Sequence, residues 1–226
     1  EFMLGNGKKY IDVSSLSNRY QKIFKDSLVY NNESTYDADE HKIIGGNLTD
    51  QAILSYVRLK RRSSVSILKE VRFTSEKKYS YVDVIDDEKK YRYVKGAPEV
   101  LLKYTNRYLD EEGFKKLLFQ QENILKKVNN LTEKGIRVLA VCYSENCSST
   151  LSDLILVGFL LIKDDIREEA YEGVRLIQHA GVQAVMITGD NLGTASSIAR
   201  EVGILDDEKV ILSSNELSSL SDSEVE

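Results

Sequence analysis

The stretch Tyr93-Val94-Lys95-Gly96-Ala97-Pro98-Glu99 decides how the chain is read. It follows the alternating, β-prone run Lys90-Tyr91-Arg92-Tyr93-Val94 and precedes the apolar run Val100-Leu101-Leu102. This order predicts a strand, a glycine-tightened turn, and a helix with proline in its first turn, where a missing N–H costs nothing. Pro98 is the only proline in 226 residues. Such a turn aims backbone N–H groups and one lysine at a single place, and a helix N-terminus favours an anion such as phosphate. A plain strand-to-helix connection with a solvated lysine is the simpler reading of the stretch taken alone.

Upstream, residues 66–73 and 79–85 are also strand-like, and Asp86-Asp87-Glu88 reads as the turn into 90–94. Together they predict a small antiparallel meander. Residues 18–30 have a helical period. Thr49 is a good N-cap for a helix with Ala52, Ile53, Tyr56, Val57 and Leu59 on its apolar face. The intervening residues 31–46 read as a polar loop, and the basic run 58–64 as a solvated helix end. Residues 3–13 read as short and polar, with a turn at Leu4-Gly5-Asn6-Gly7, and Glu1-Phe2 as either a cloning remnant or native sequence.

Downstream, 114–131 predicts an amphipathic helix, and 137–143 and 154–162 two more strands. After Lys163 the pattern changes. A helix over 167–179, a fully buried parallel-type strand over 182–187, a turn at Thr188-Gly189-Asp190-Asn191 and a helix over 192–202 make an αβα piece. Residues 213–226 read as a capping helix or a frayed end.

Charged residues make up 30% and hydrophobic residues 42%, the balance of a soluble globular protein. A net charge of -5 gives no basic footprint for nucleic acid. Cys142 and Cys147 lack metal spacing and read as unpaired thiols of a reducing compartment. No metal site is expected from the residues themselves. No apolar run reaches the roughly 20 residues that cross a bilayer, and no signal peptide is evident.

A second stretch, Met186-Ile187-Thr188-Gly189-Asp190-Asn191, follows the apolar run 182–187, at the strand end where open α/β sheets bind ligands. Thr188 offers a hydroxyl and Gly189 an N–H to a phosphoryl oxygen. Asp190 suits a metal or a sugar hydroxyl, and Asp190 or Asn191 equally suits an N-cap.

Lys95-Gly96-Ala97-Pro98-Glu99 and Met186 to Asn191, in this order and about this far apart, resemble the P-type ATPases, the cation pumps that form a phospho-aspartate. The narrower resemblance is to the calcium and sodium/potassium pump group, and Val-Leu-Leu after Glu99 is similar to bacterial calcium-type pumps. The fold class implied is α/β. Residues 1–163 resemble the nucleotide-binding (N) domain, an α+β unit with an antiparallel sheet flanked by helices. Residues 164–226 resemble part of the haloacid-dehalogenase-like phosphorylation (P) domain.

The resemblance implies roles residue by residue. Lys95 resembles the lysine lining the ATP pocket, and Gly96 the glycine that lets nucleotide approach the backbone. Phe73 resembles the aromatic that stacks on adenine, Lys78 a lysine beside the nucleotide, and Asp50 the acid near the adenine amino group. Arg137 resembles the arginine holding the phosphate chain, and Leu139 a residue packing on the base. Thr188, Gly189 and Asp190 resemble the phosphoryl-facing turn, and Asp164 and Arg167 the inter-domain hinge. The residue types suit the task, since a base needs an aromatic face and a triphosphate needs Lys and Arg.

Four positions depart from the family pattern. Asp50 is shorter than the commoner Glu. Asn47 stands where an acid is frequent, Ser75 where some relatives carry arginine, and Asp165 in place of a hinge proline. The sequence also lacks Asp-Lys-Thr-Gly-Thr, Gly-Asp-Gly-x-Asn-Asp and Thr-Gly-Glu.

The resemblance therefore implies an ATP- or ADP-binding piece on the cytoplasmic side of a multi-pass membrane pump. Its partners are the pump's actuator and membrane domains and the transported cation, calcium by resemblance. Mg2+ is expected as cofactor of the whole pump. The piece alone is expected to be inactive. The alternative reading is a stand-alone nucleotide-binding regulatory module. A dehalogenase-type phosphatase would need its nucleophile, which the sequence does not contain.

Overall fold

The computed structural model describes residues 1–37, 39–119, 121–148, 150–163, 166–188, 192–206 and 211–221. The described residues form two compact units, one of residues 1–128 and 138–162, the other of 129–137 and 163–226.

The first unit is built on the meander that the sequence predicts. Strand β5 (Ser66–Val71) pairs antiparallel with β6 (Tyr79–Asp86), and β6 with β7 (Lys89–Gly96). The β6–β7 turn is two residues, Asp87 and Glu88, at φ 47° and 64°. Two positive φ values match the twist of a hairpin, although Asn-Gly is the usual way to supply them. Beyond β7 come β10 (Arg137–Ser144) and β11 (Leu154–Ile162), then β1 (Phe2–Met3) and β2 (Lys9–Tyr10). Strand β8 (Thr105–Leu109) runs parallel to the start of β11 and carries β9 (Lys115–Leu117). The sheet thus has nine strands among the described residues.

Helix α1 (Asn18–Tyr30) lays Tyr20, Phe24 and Leu28 on this sheet, together with Val82, Val84, Tyr93, Val141, Tyr143 and Val157. Ser17 caps it by accepting from the Tyr20 N–H. Helix α2 (Leu48–Val57) contributes Ile53 to the same core.

Several sequence expectations are corrected. The cap of α2 is Asn47, whose side chain accepts from the Asp50 N–H, not Thr49. The polar loop 31–46 contains a hairpin of β3 (Thr35–Asp37) and β4 (Lys42–Ile44), strands too short to show periodicity. The helix expected over 114–131 begins only at Gln121 (α4, Gln121–Thr132), because Lys115–Leu117 pair with β8 instead. Its apolar face is buried as expected at Ile124 and Val128.

The basic run after α2 is exposed, as expected, but it is not without partners. Arg61 donates to the carbonyls of Val29, Tyr30 and Asn32, and Arg62 bridges Asp26 and Asp86. Nor is the first stretch merely polar. Phe2, Met3 and Leu4 are buried, and Phe2 stacks on Tyr10 with ring centroids 5.4 Å apart. Gly158 lies beneath this strand: a Cβ there would sit 2.8 Å from the Met3 carbonyl oxygen. Cys142 and Cys147 are free thiols, as expected.

In the second unit, α5 (Glu168–His179) and α6 (Leu192–Glu201) form as the sequence predicts. Glu201 accepts from Tyr171 and meets Lys163 at 3.6 Å, and Gln178 donates to the Gly203 carbonyl. The expected buried strand 182–187 is not formed. Val182, Val185 and Ile187 are 57%, 70% and 94% exposed. A parallel strand exists only where neighbours take its N–H and C=O groups, and among the described residues none pairs with it. Residues 213–221 hold one turn, α7 (Ser214–Leu217).

Candidate functional site

Three segments of the first unit converge on the Lys95 side chain: the end of β7, the first turn of α2, and residues 31–34 that leave α1. In β7 the pleat puts Lys95 on the face of Tyr93, with Ser80 and Val141 beside it on the neighbouring strands. This is the core face, so Lys95 is 9% exposed. The residue that meets it is Asp50, 2% exposed in the first turn of α2, whose Oδ1 forms an ion pair with Lys95 Nζ.

The other carboxylate oxygen of Asp50 accepts from the Glu33 N–H at 3.1 Å and from Asn47 Nδ2 at 3.5 Å. Asn32 Nδ2 donates to the Asp50 carbonyl at 3.1 Å, and its Oδ1 accepts from the Ser34 N–H at 2.8 Å. Asn31 donates to the carbonyls of Ser80 and Tyr93 and accepts from the Ser80 hydroxyl. One buried polar network therefore fastens α2 to β6 and β7, as buried polar groups require. Burial pushes the Lys95 ammonium below its usual range, and Asp50 and Glu33 offset part of that effect.

The turn after Lys95 has the predicted form. Pro98 opens α3 (Pro98–Leu101), and the Ala97 carbonyl accepts from Val100 and Leu101. The helix is one turn long, followed by a 3-10 turn at Leu102–Tyr104. So short an element has few aligned dipoles, and the anion-favouring field expected at its start is correspondingly small. Gly96 is required by the protein itself. A Cβ there would lie 2.5 Å from the Lys78 carbonyl oxygen and 2.6 Å from Tyr79 Cβ. Lys78, at φ 58°, accepts the Ala97 N–H through its carbonyl, and its ammonium meets Glu99 at 3.3 Å. Both of those side chains are about half exposed, so the pair adds little stability.

Phe73 follows β5 and is 54% exposed, an aromatic face turned to solvent. Its neighbour Arg72 places Nε 4.0 Å from the Glu33 carboxylate. Leu139 in β10 packs on the core cluster. Arg137 opens β10, is exposed, and belongs to the second unit, as does Thr188. Gly189, Asp190, Asp164 and Asp165 lie outside the described residues.

The structure thus brings Asp50 to Lys95 and Lys78 to Gly96. Asn31, Asn32 and Glu33, which hold the network, were not singled out by sequence reasoning. Their only sequence signal is two amides and an acid directly after an amphipathic helix. A cavity of 290 Å³ lies beside the β3–β4 hairpin, lined by Val29, Ser34, Tyr36, Ile44, Leu54 and Lys60 among others, but by neither Asp50 nor Lys95. Among the described residues no His, Cys, Asp and Glu cluster could hold a metal ion, and Asp50, the acid that meets Lys95, is committed to it. These residues therefore offer Mg2+ no ready set of oxygen ligands of their own. No helix among the described residues is long and apolar enough to cross a membrane.

Residues 19–169 match the family of the P-type ATPase cytoplasmic domain N. Among curated proteins, the chain is 28% identical over 238 residues to calcium-transporting ATPase 1 of Lactococcus lactis, which takes in 99% of this chain and 27% of that protein. It is 31% identical over 206 residues to calcium-transporting ATPase 1 of Saccharomyces cerevisiae, covering 83% of this chain and 22% of that one. A calcium-transporting ATPase of Plasmodium falciparum is 34% identical over 168 residues, 66% of this chain and 14% of its own length. The chain thus spans little more than a quarter, at most, of these relatives. With the meander, the Lys95 turn and the match over 19–169 in agreement, the chain belongs to the P-type cation ATPases, whose nucleotide-binding N domain it carries.

Proposed function

We propose that this chain binds ATP for a pump that phosphorylates its own aspartate and moves calcium across a membrane. Residues 1–163 act as the N domain, and residues 164–226 are part of the P domain. The observation that carries the reading is Lys95, held by Asp50 at the end of β7 in the Lys-Gly-Ala-Pro-Glu turn. Phe73 supplies the stacking face for the base, and Leu139 its apolar backing. Lys95, Lys78 and Arg137 supply positive charge to the phosphates, which in phosphoryl transfer is most of what the protein contributes. Thr188, Gly189 and Asp190 take the phosphoryl-facing role. Calcium as cargo is supported by the names of the relatives above. Mg2+, which neutralises the phosphates when bound to the nucleotide, belongs to the whole pump.

Titration of the chain with ATP and no metal tests this. Binding at micromolar to millimolar strength is expected, about -4 to -8 kcal/mol, with NMR shifts centred on Phe73 and Lys95. ATP that binds while leaving both unperturbed overturns the assignment. Incubation with γ-labelled ATP is expected to leave no acid-stable label, because the sequence holds no Asp-Lys-Thr-Gly-Thr.

A further inference from the structure

We propose that the 290 Å³ cavity beside the β3–β4 hairpin binds a small amphipathic anion, a free carboxylate on a single apolar chain. Neither Asp50 nor Lys95 lines it, so the site stands apart from the nucleotide-binding reading above.

The lining divides by depth. Val29, one residue from the end of α1, and Leu54 of α2 are buried and form the closed end. Ile44 of β4 and Leu59, two residues past α2, also line the cavity and are partly open to solvent. Four aliphatic side chains therefore face one space. Its volume lies at the small end of ligand pockets, which are mostly apolar with a few polar groups that fix orientation. An apolar chain laid against Val29 and Leu54 leaves water and gains the usual favourable burial.

The charges at the exposed end set the sign of the ligand. Lys60 and Arg61 both line the cavity and both are exposed. Arg61 spends its Nε and one Nη on the carbonyls of Val29, Tyr30 and Asn32. Those partners are neutral, so its charge has no counter-ion among the described residues. Lys60 Nζ lies 3.9 Å from Asp37 and 3.7 Å from Asp39, longer than a charge-assisted hydrogen bond. A lysine so loosely held is a point charge on a flexible stem, free to turn to a better acceptor. Asp37 is the acid of the lining, and its Oδ1 already accepts the N–H groups of Asp39 and Glu40. Its charge is held by its own turn. A carboxylate at the mouth thus meets two cations, while its chain runs inward to the aliphatic end.

The experiment uses the full chain with decanoate, and with decan-1-ol as the uncharged counterpart, followed by 1H–15N NMR. Decanoate is expected to shift the amides of Tyr36, Ile44, Leu54 and Lys60 saturably. It is expected to bind about fivefold more tightly than the alcohol, the most that a partly exposed ion pair supplies. Lys60→Gln is expected to bring the two to within about twofold of each other, with alcohol binding unchanged. Ile44→Glu, at an exposed position, is expected to abolish binding of both by setting a charge against the chain. Equal binding of decanoate and decan-1-ol by the unaltered protein overturns the proposal. So does a preference that survives Lys60→Gln, or a decanoate response that does not saturate and spreads to exposed side chains such as Phe114 and Phe119. Amides of the hairpin that respond to phosphatidylglycerol vesicles but not to decanoate would make this face a membrane contact, and would overturn it as well. If Ile44→Glu does not fold, Lys60→Gln decides alone. ATP plays no part in these titrations, so their failure leaves the functional reading untouched.

Discussion

Lys95 keeps its charge inside the protein because Asp50 meets it, and neither residue is stable there without the other. Lys95→Ala leaves a buried carboxylate without its counter-ion, so a loss of about 3 kcal/mol is expected in urea unfolding. The double variant Lys95→Ala/Asp50→Ala should recover much of that loss, because the charge and the orphaned group go together. The pH dependence has a definite sign. The folded Lys95 pKa lies below the unfolded value of 10.5, so the folded state sheds its proton first. Its contribution to stability therefore rises with pH as the folded lysine deprotonates, and levels off above 10.5. Asp86 has the same sign in a lower pH window. Burial would raise its pKa, but Lys22 at 2.7 Å and Arg62 at 2.9 Å hold it below 3.8. That stability is present above about pH 4 and is lost as pH falls through the folded pKa. Acid titration of Asp86→Asn should show a shallower decline at low pH than the unaltered protein.

At the scale of elements, the β6–β7 hairpin carries a local cost. Asp87 and Glu88 both hold positive φ, a conformation that an L side chain resists by roughly 1 kcal/mol. Glu88→Gly should therefore raise stability by about 0.5–1 kcal/mol, measured as a shift in urea midpoint at unchanged slope. This hairpin also shows what the sequence discloses. Its strands alternate over eight residues each, long enough for the core face to declare itself, and the acidic turn lies between them. α1 was legible by its helical period, and β10 and β11 by apolar runs of strand length. The hairpin of β3 and β4 was not, since three-residue strands exist through their pairing and leave no period behind. Residues 182–187 fail the other way, for their apolar composition describes a strand but composition cannot supply a neighbour. In the site, Lys95 was legible because the turn around it is local. Its bond to Asp50 joins residues 45 apart, and the supporting amides of Asn31 and Asn32 look like any polar loop.

At the scale of the molecule, the two units differ in how much they bury. The first gathers a continuous core between α1, α2 and one face of the sheet. In the second, α5 has no buried residue, and Ala199 is the only one of α6. Cooperative protection needs buried apolar contacts and paired backbone. Hydrogen exchange should therefore be slow at 79–94 and 138–143 and faster at 182–188. Equal protection at Val185 and Ile187 in a dilute sample would mean that the second unit is a complete folding unit.

The contact between Gly158 and Met3 extends beyond packing. β1 covers part of the outer edge of β11, a nine-residue strand that is buried nearly throughout. Gly158→Ala would press a methyl group against the Met3 carbonyl and drive β1 outward. What it uncovers is apolar, extended backbone with unpaired donors and acceptors, a template for the same strand of another copy. The expected result is concentration-dependent self-association in sedimentation velocity, while helix content stays unchanged. Two residues at the start of the chain would then act as the chaperone of its most hydrophobic strand.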